Sequence, residues 1–599
     1  MCDHEAPADL PPADPTLPRL AMFRPTEPQL SLMESRFLIP PAKRERLERS
    51  WAEAFRCRIL PLINEEAFRS CFCENNGRPN KSIRLLVCLH LLKEADDLTD
   101  EQVLDALEFN VQWQHALGVE PADAHVSEKT LHNFRRRLME NGLAQVVFVE
   151  LTAALIAVDG LSPVRQRLDS THVISNIAVL TRLGLFTETV TTFLRDLRKL
   201  EPGKLADLHS DFAKRYLDRE GFFADVRREQ AMRRLPIAAK DLYSLVRAFE
   251  GDAAIQLWPS YANMARLLAD QCDIVKPDAE SAAEGQGAVQ VKDGKEVAGT
   301  SLQSPHDPDA TYGHKGKGYE VQLCETCVPE NPYQVVTAVV LTGAHESDQR
   351  VTIPLVEALI EQGVGPEVLH TDTAYGSGEA IVACAALGVE LVARVQDPSA
   401  PPRPDDWEPS AQVPVPGSDA SPAPVAPGPD ASAPGTAAPD APLGLEDFRF
   451  NATFNEVVEC PAGHRPDGNE PAKGRQAFQA HFDSTTCAGC PLRDRCPTRP
   501  GPDGDRTMRY RADKAATATR QREQRGAEFR TRNKVRSGIE ATNAEFKGRH
   551  GAGALRVRRR SRVAVAVTLK ALALNTKRAV QHHQKGLRDR LGTEIRQAA

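Results

Sequence analysis

Across residues 38–143 apolar side chains recur at three- and four-residue intervals, the period of helices that bury one face. The runs LIPPAKRERLERSWAEAFRC and SIRLLVCLHLLKEADDLTDEQVLDALEFNVQWQHAL carry that spacing, and Ser127 caps a further short helix in SEKTLHNFRRRLMENG. Past Pro163 the pattern changes. In PVRQRLDSTHVI, Val164, Leu168, Val173 and Ile174 stand among polar residues, which predicts a half-buried strand with Asp169 at its centre. Helical spacing returns over residues 176–275 with no motif of chemical character, so this stretch reads as an insertion. Alternation by two resumes in GYEVQLC, where Tyr319, Val321 and Leu323 share one face, and VVTAVVLT at 335–342 follows across a turn holding Pro329 and Pro332. The segments SDQRVTIPLVEALIEQG, EVLHTD, SGEAIVACAALG and VELVARV then alternate helix and strand. The series strand, strand, strand, helix, strand, helix, strand predicts a mixed α/β layer, with Asp372 at the carboxyl end of its strand.

The 599 residues suffice for roughly four domains, and 41% hydrophobic composition is ample for buried cores. No apolar run reaches the roughly 18 residues that span a bilayer, and the acidic, Pro-rich start MCDHEAPADLPPADP has no signal-peptide pattern. The expectation is a soluble, cytoplasmic protein with no membrane partner. Composition also marks boundaries. Residues 1–35 read as a flexible lead-in, 36–155 as a helical domain, and 160–397 as the first part of a core with a helical insertion at 176–276. Residues 398–445, rich in Pro, Ala, Gly, Ser and Asp, read as a disordered loop. Residues 446–505 form a Cys-rich insertion and 506–599 the last part of the core.

The net charge of -7 argues weakly against a nucleic-acid partner, but it averages over an uneven chain. Residues 506–562 are densely basic, with only a handful of acids, and supply a local footprint for phosphates. In the short helix after Ser127, His132, Arg135 and Arg136 offer a polar face. That helix resembles the second helix of a helix-turn-helix, and it equally fits an ordinary amphipathic helix with a solvated basic face. The thirteen Cys are mostly scattered, which does not suggest a disulfide framework. Cys460 in CPAGH and Cys487, Cys490 and Cys496 in CAGCPLRDRC suit a structural Zn²⁺, with His464 as a substitute ligand; unligated thiols are the alternative. CETC at 324–327 ends a strand, lacks a second pair and reads as structural.

At residues 536–547, RSGIEATNAEFK puts Arg536, Glu540, Asn543 and Lys547 on one helical stripe and Ile539, Thr542 and Phe546 on an adjoining apolar one. Glu545 points elsewhere. Alone, this stretch fits an exposed helix with ion pairs four residues apart. It also fits a carboxylate that holds a metal ion between two cations that grip a polyanion. Asp169, Asp372 and Glu540 brought together would repel unless cations neutralised them, and two Mg²⁺ ions held by such acids support phosphodiester chemistry.

DSTHV around Asp169, HTDTAYGS around Asp372 and the spacing Arg536, Glu540, Lys547 resemble the three acidic motifs of bacterial DDE insertion-sequence transposases. GRPNKSIRLLVCLHLLKEADDLTDEQVLDAL and SEKTLHNFRRRL resemble the helical N-terminal domain of the same proteins, and DPDATYGHKGKGYEVQLCETC, VQDP and the Cys-bearing segment resemble their middle and insertion. Asn533 stands where the family often has Tyr. The resemblance implies a ribonuclease H-like mixed sheet with a helical N-terminal domain and insertions, one of them a zinc ribbon. It implies an enzyme that cuts DNA at the ends of its own insertion sequence and joins the 3′-hydroxyls to target DNA. Asp169, Asp372 and Glu540 would hold Mg²⁺ or Mn²⁺, while Arg536, Lys547, His132, Arg135 and Arg136 would contact DNA. The partners would be the terminal inverted repeats, target DNA and further copies of the chain assembled on DNA. Two rivals remain: a catalytically idle DNA-binding derivative and a structure-specific nuclease.

Overall fold

The helix Ile83–Ala95 is buried almost all round, from Ile83 through Leu85–Leu92 to Glu94 and Ala95, because its sequence is apolar on every face. It anchors the first of two compact units in the computed structural model, which describes residues 21–26, 39–74, 78–208, 210–218, 222–223, 228–274, 289–397, 442–501 and 505–598. The units are Met1–Pro163, Ser170–Glu346 and Ile539–Ala599 in one, and Val164–Asp169 and Ser347–Gly538 in the other. Nearly all of the lead-in at 1–35 and of the loop at 398–445 lies outside the described residues.

In the first unit, the described residues between 41 and 159 form seven α-helices and two 3₁₀ turns. Their starts follow from polar caps: Ser82 accepts from Leu85 N, Thr99 and Gln102 form a reciprocal capping box, and Ser127 accepts from Thr130 N. The long C-terminal helix Arg560–Ala598 packs on Ile83–Ala95 and on Leu143–Asp159. The insertion folds around its own core: Arg182–Leu200, Arg228–Phe249 and Pro259–Gln271 enclose Phe186, Phe193, Leu197, Leu242 and Met264.

The same unit holds the second half of the strand Arg165–Val173, and beside it Gly316–Thr326 and Thr311–Gly313. Val336–Gly343 pairs antiparallel with Gly316–Thr326, so the hairpin expected across the prolines is present. The expected alternation is not. From Gly318 to Thr326 every residue of the strand is buried, including Glu320, Gln322 and Glu325, because it is an interior strand covered on both faces.

In the second unit, the first half of Arg165–Val173 pairs parallel with Val368–His370, which pairs parallel with Glu390–Val392. The helices Thr352–Glu361 and Gly378–Ala386 precede and follow Val368–His370 in the order expected. Ala512–Glu523 packs so closely on the second of these that a Cβ at Gly378 would lie 1.8 Å from the Asp513 carbonyl oxygen. The Cys-rich segment belongs to a four-stranded antiparallel sheet ordered Gly468–Pro471, Ala477–Phe482, Arg506–Arg511, Arg499–Pro500, over a core of Phe448, Phe482, Met508 and Tyr510. The protein is therefore mixed α/β. Among the described residues no single helix is long and apolar enough to cross a membrane; Glu128–Glu140 and Leu143–Asp159 pass that test only as a pair bent by 86°.

Candidate active site

Two neighbouring parallel strands of the second unit carry two acids to the same level. Arg165, Gln166 and Arg167 are paired with Val368, Leu369 and His370. Asp169 lies two residues beyond Arg167 and Asp372 two residues beyond His370, so both acids follow the last paired residues by the same number of steps. Asp372 has already left its strand, and its Oδ1 accepts from Ala374 N at 2.8 Å to close a turn. Both carboxylates are half-buried. This is the carboxyl end of a parallel pair, where open α/β sheets place their sites. His370 is buried, neither ring nitrogen has a partner among the described residues, and burial followed by the charges of Arg165 and Arg532 lowers its pKa to about 4. It is neutral at pH 7.

Arg167 ties the Asp169 strand to the turn that carries Arg536. Its Nη1 donates to the Val535 carbonyl at 3.2 Å, and a Cβ at Gly538 would lie 1.7 Å from the same nitrogen. Only glycine leaves room for that approach. The turn also corrects the helical stripe expected from the sequence. Arg536 sits in a 3₁₀ segment, Lys534–Gly538, and the α-helix begins afterwards, at Ile539. Asn533 ends the preceding helix Ala527–Asn533.

In the first unit, Ile539–Gly548 buries Ile539, Thr542 and Phe546, as the apolar stripe requires, and exposes Glu540 and Lys547. Asn543 departs from the expectation. It is buried with Thr542 instead of standing beside Glu540, because the face turned to the core is wider than the three apolar residues suggest. Glu545 accepts from Arg578 Nη2 at 3.1 Å.

The helix Glu128–Glu140 exposes His132 and Arg136. Arg135 is engaged inside the fold: it forms a two-pronged pair with Asp100, both contacts at 2.5 Å. Burial pushes the Asp100 carboxyl up, but the Arg135 hydrogen bonds together with the charges of Arg135 and Lys93 outweigh it and the pKa lies below the usual value. Arg135, expected at the DNA-facing side of this helix, is thus also tied to the helix Asp100–Phe109. Arg137 lies over the Phe72 ring, 4.4 Å from its centre.

Cys460, Cys487, Cys490 and Cys496 line one cavity of about 140 Å³, together with His464. Burial, then the neighbouring thiols, raises the Cys487 pKa. No group of three or more His, Cys, Asp or Glu among the described residues is gathered closely enough to hold a metal ion, at this cavity or at the acids. The thiols have the donor chemistry for Zn²⁺. For the acids, Mg²⁺ ordinarily takes one or two carboxylates and fills its remaining positions with water and substrate phosphates, so a preformed set of three is not a requirement.

Parts of the chain are similar to known families. A family described as "Transposase DDE domain" matches residues 459–580, and one described as "Transposase domain (DUF772)" matches residues 45–137. The chain is thus similar to bacterial insertion-sequence transposases of the DDE type, as its motifs suggest. The first match spans the four cysteines, Arg536, Glu540 and Lys547; the second spans His132, Arg135 and Arg136. The "Uncharacterized protein ORF8 in nfe locus" of Rhizobium meliloti is 34% identical over 100 residues, 16% of this chain and 48% of that protein. The match thus spans about half the length of that relative. No solved structure matches.

Sequence reasoning overlooked Arg167, Gly538, His370, Glu320, Glu325 and Arg578. For the two glutamates a signal was available. Glu is depleted in strands, yet two stand in GYEVQLCET, and a charged residue in an otherwise apolar strand requires a buried partner.

Proposed function

We propose that this chain is a DNA transposase that cuts phosphodiester bonds at the ends of its own insertion sequence and transfers the 3′-hydroxyl ends to target DNA. The observation that carries this reading is the common level of Asp169 and Asp372, each two residues beyond the Arg167 and His370 pair on adjacent parallel strands. Two carboxylates at the open end of a parallel pair suit divalent-cation chemistry on a phosphodiester, and the similarity to transposase domains supports DNA as the substrate. We assign the third acid to Glu540 and the core to the ribonuclease H-like type. Mg²⁺ or Mn²⁺, when bound, supplies the Lewis acid and lowers the pKa of an attacking water or hydroxyl.

The protein's own groups bind and orient. Asp169, Asp372 and Glu540 provide carboxylate oxygens. Arg536, as a planar fork, and Lys547, as a compact charge, hold phosphates beside the scissile bond. His132 and Arg136 are the exposed side chains with which the helix Glu128–Glu140 reads the terminal repeats, while Arg135 braces it. Cys460, Cys487, Cys490 and Cys496 would be the residues to hold a structural Zn²⁺, which their thiolates suit by donor chemistry. The chain works in the cytoplasm, on the nucleoid, and self-associates when two element ends are brought together.

The test is cleavage of a labelled duplex carrying the inverted repeat that flanks the coding region, with and without Mg²⁺. Nicking or double-strand cleavage at the repeat boundary, lost in Asp372→Asn, supports the reading. Repeat-specific binding with no cleavage under any divalent ion favours the idle DNA-binding derivative. Cleavage of branched DNA regardless of sequence favours the nuclease.

A further inference from the structure

The strand Gly316–Thr326 buries two carboxylates that the reaction itself does not require. Glu320 is 3% exposed and Glu325 is 0% exposed. Glu320 faces the residues that follow Asp169. Lys315 Nζ donates to Glu320 Oε2 at 3.1 Å and to Ser170 Oγ at 3.0 Å, and His172 Nδ1 lies 3.3 Å from Glu320 Oε1. Burial pushes the Glu320 carboxyl up, yet the His172 contact and the Lys315 charge outweigh it and leave the group ionised. The approach of the two strands is close enough that a Cβ at Gly318, whose φ is +139°, would lie 2.4 Å from the Val173 carbonyl oxygen. Glu320 thus holds His172 directly and Ser170, the residue after Asp169, through Lys315.

Glu325 does the same for the helix that carries Glu540. Thr542 Oγ1 donates to Glu325 Oε2 at 2.7 Å, and Arg578 Nη1 donates to the same oxygen at 3.0 Å. Arg578 Nη2 donates to Thr542 Oγ1 at 2.8 Å and to Glu545 Oε2 at 3.1 Å. Arg578 therefore grips the helix Ile539–Gly548 at two points, one of them two residues from Glu540. A buried ion pair of this kind is commonly no more stabilising than well-packed apolar residues of the same volume, and what it adds is a defined geometry.

We propose that Glu320 and Glu325 are positioning residues: one strand sets the backbone that presents Asp169 and the helix that presents Glu540. This rests on the reading in which those two acids act on DNA. A displacement of about 1 Å at a reacting group costs up to about a hundredfold in rate, so loosening either clamp is felt in the chemical step more than in binding.

The experiment compares full-length wild type with Glu320→Gln, Glu325→Gln, Thr542→Val and the double variant Glu325→Leu with Arg578→Met, which restores packing without the charges. Melting temperature, affinity for an end-containing duplex, single-turnover cleavage rate against Mg²⁺ concentration, and the Mg²⁺-induced rise in melting temperature without DNA are measured for each. Positioning predicts that folded variants bind the duplex as wild type does and cleave on the order of ten to a hundred times more slowly. They also need more Mg²⁺ and show a smaller Mg²⁺-induced shift, and the apolar double variant regains melting temperature without regaining rate. Wild-type rate and Mg²⁺ dependence in folded Glu320→Gln and Glu325→Gln would overturn the proposal and leave only a structural role. Asp169→Asn and Glu540→Gln are run alongside. Full cleavage by these two would overturn the catalytic reading, and the proposal with it, whereas their inactivity beside normal Glu320→Gln and Glu325→Gln would overturn the positioning alone.

Discussion

Arg167 donates to the main-chain carbonyl of Val535 at 3.2 Å, across 368 residues of sequence. The contact joins the strand that leads to Asp169 to the turn that leads to Glu540, and Gly538 leaves the space in which the guanidinium lies. A methyl group at position 538 displaces a flexible side chain and not backbone, so the fold survives. Gly538→Ala should lower stability by about 1 kcal/mol, the worth of one ordinary hydrogen bond. Its cleavage rate should fall by a larger factor than that loss implies, and Arg167→Ala should behave alike. Chemical denaturation together with single-turnover cleavage checks this; unchanged cleavage in both variants would detach the contact from the site.

Asp169→Ala, Asp372→Ala and Glu540→Ala should each abolish strand cleavage while leaving duplex affinity within a few fold. Glu545→Ala should keep cleavage and lose at most about 1 kcal/mol, because its partner Arg578 retains Glu325 and Thr542 and the pair is partly exposed. Electrophoretic assays on an end-containing substrate distinguish these outcomes. Normal cleavage by Glu540→Ala with loss in Glu545→Ala would reverse the assignment of the third acid.

The helix Glu128–Glu140 separates bracing from reading. Arg135→Ala should destabilise the protein by about 1 kcal/mol through loss of the two-pronged contact with Asp100. His132→Ala and Arg136→Ala should leave the melting temperature alone and reduce the preference for element ends over scrambled duplex. Changing Lys547 should weaken both duplexes alike and flatten the salt dependence. Equal discrimination by wild type and both reading variants would move end recognition elsewhere in the chain.

A Zn²⁺ closed by Cys460, Cys487, Cys490 and Cys496 should appear as about one tightly held ion per chain by elemental analysis, absent from Cys487→Ser. The substitution should destabilise the antiparallel sheet around Phe482 and Tyr510 more than it slows chemistry. Active protein without zinc would leave the cavity lined by free thiols.

Glu94 gives the pH dependence a sign. Burial pushes its carboxyl up, but Lys570 and Lys93 outweigh it, and the folded-state pKa lies below the ordinary 4.5. The unfolded chain therefore takes up the proton more readily. The stabilisation is complete above pH 4.5 and disappears as pH falls through the folded value. Lys570 Nζ reaches Glu94 at 2.7 Å and Asp97 at 2.9 Å, so Lys570→Met should make the protein melt at higher pH on acidification. Melting curves from pH 7 to 3 test this; a variant with the acid sensitivity of wild type would exclude the pair as its source.

Local patterns were legible wherever one residue type settles the backbone. Ser127 starts its helix through a bond to the amide three residues on, and the order of strands and helices around Asp372 follows from hydrophobic period alone. Asp169, Asp372 and Glu540 stood out because each is an acid in a recognisable local setting. What the sequence could not disclose depended on neighbours distant along the chain. Its spacing placed Arg536, Asn543 and Glu540 on one stripe, but the close approach of Arg167 accompanies a 3₁₀ turn at 534–538, and packing buries Asn543. The pairing of Arg135 with Asp100 was not visible in the sequence, and alternation in GYEVQLC suggested an exposed face on a strand that is covered on both. In each case the sequence determined which groups were present and which local geometry was cheapest, while long-range packing decided which of those groups met water and which met one another.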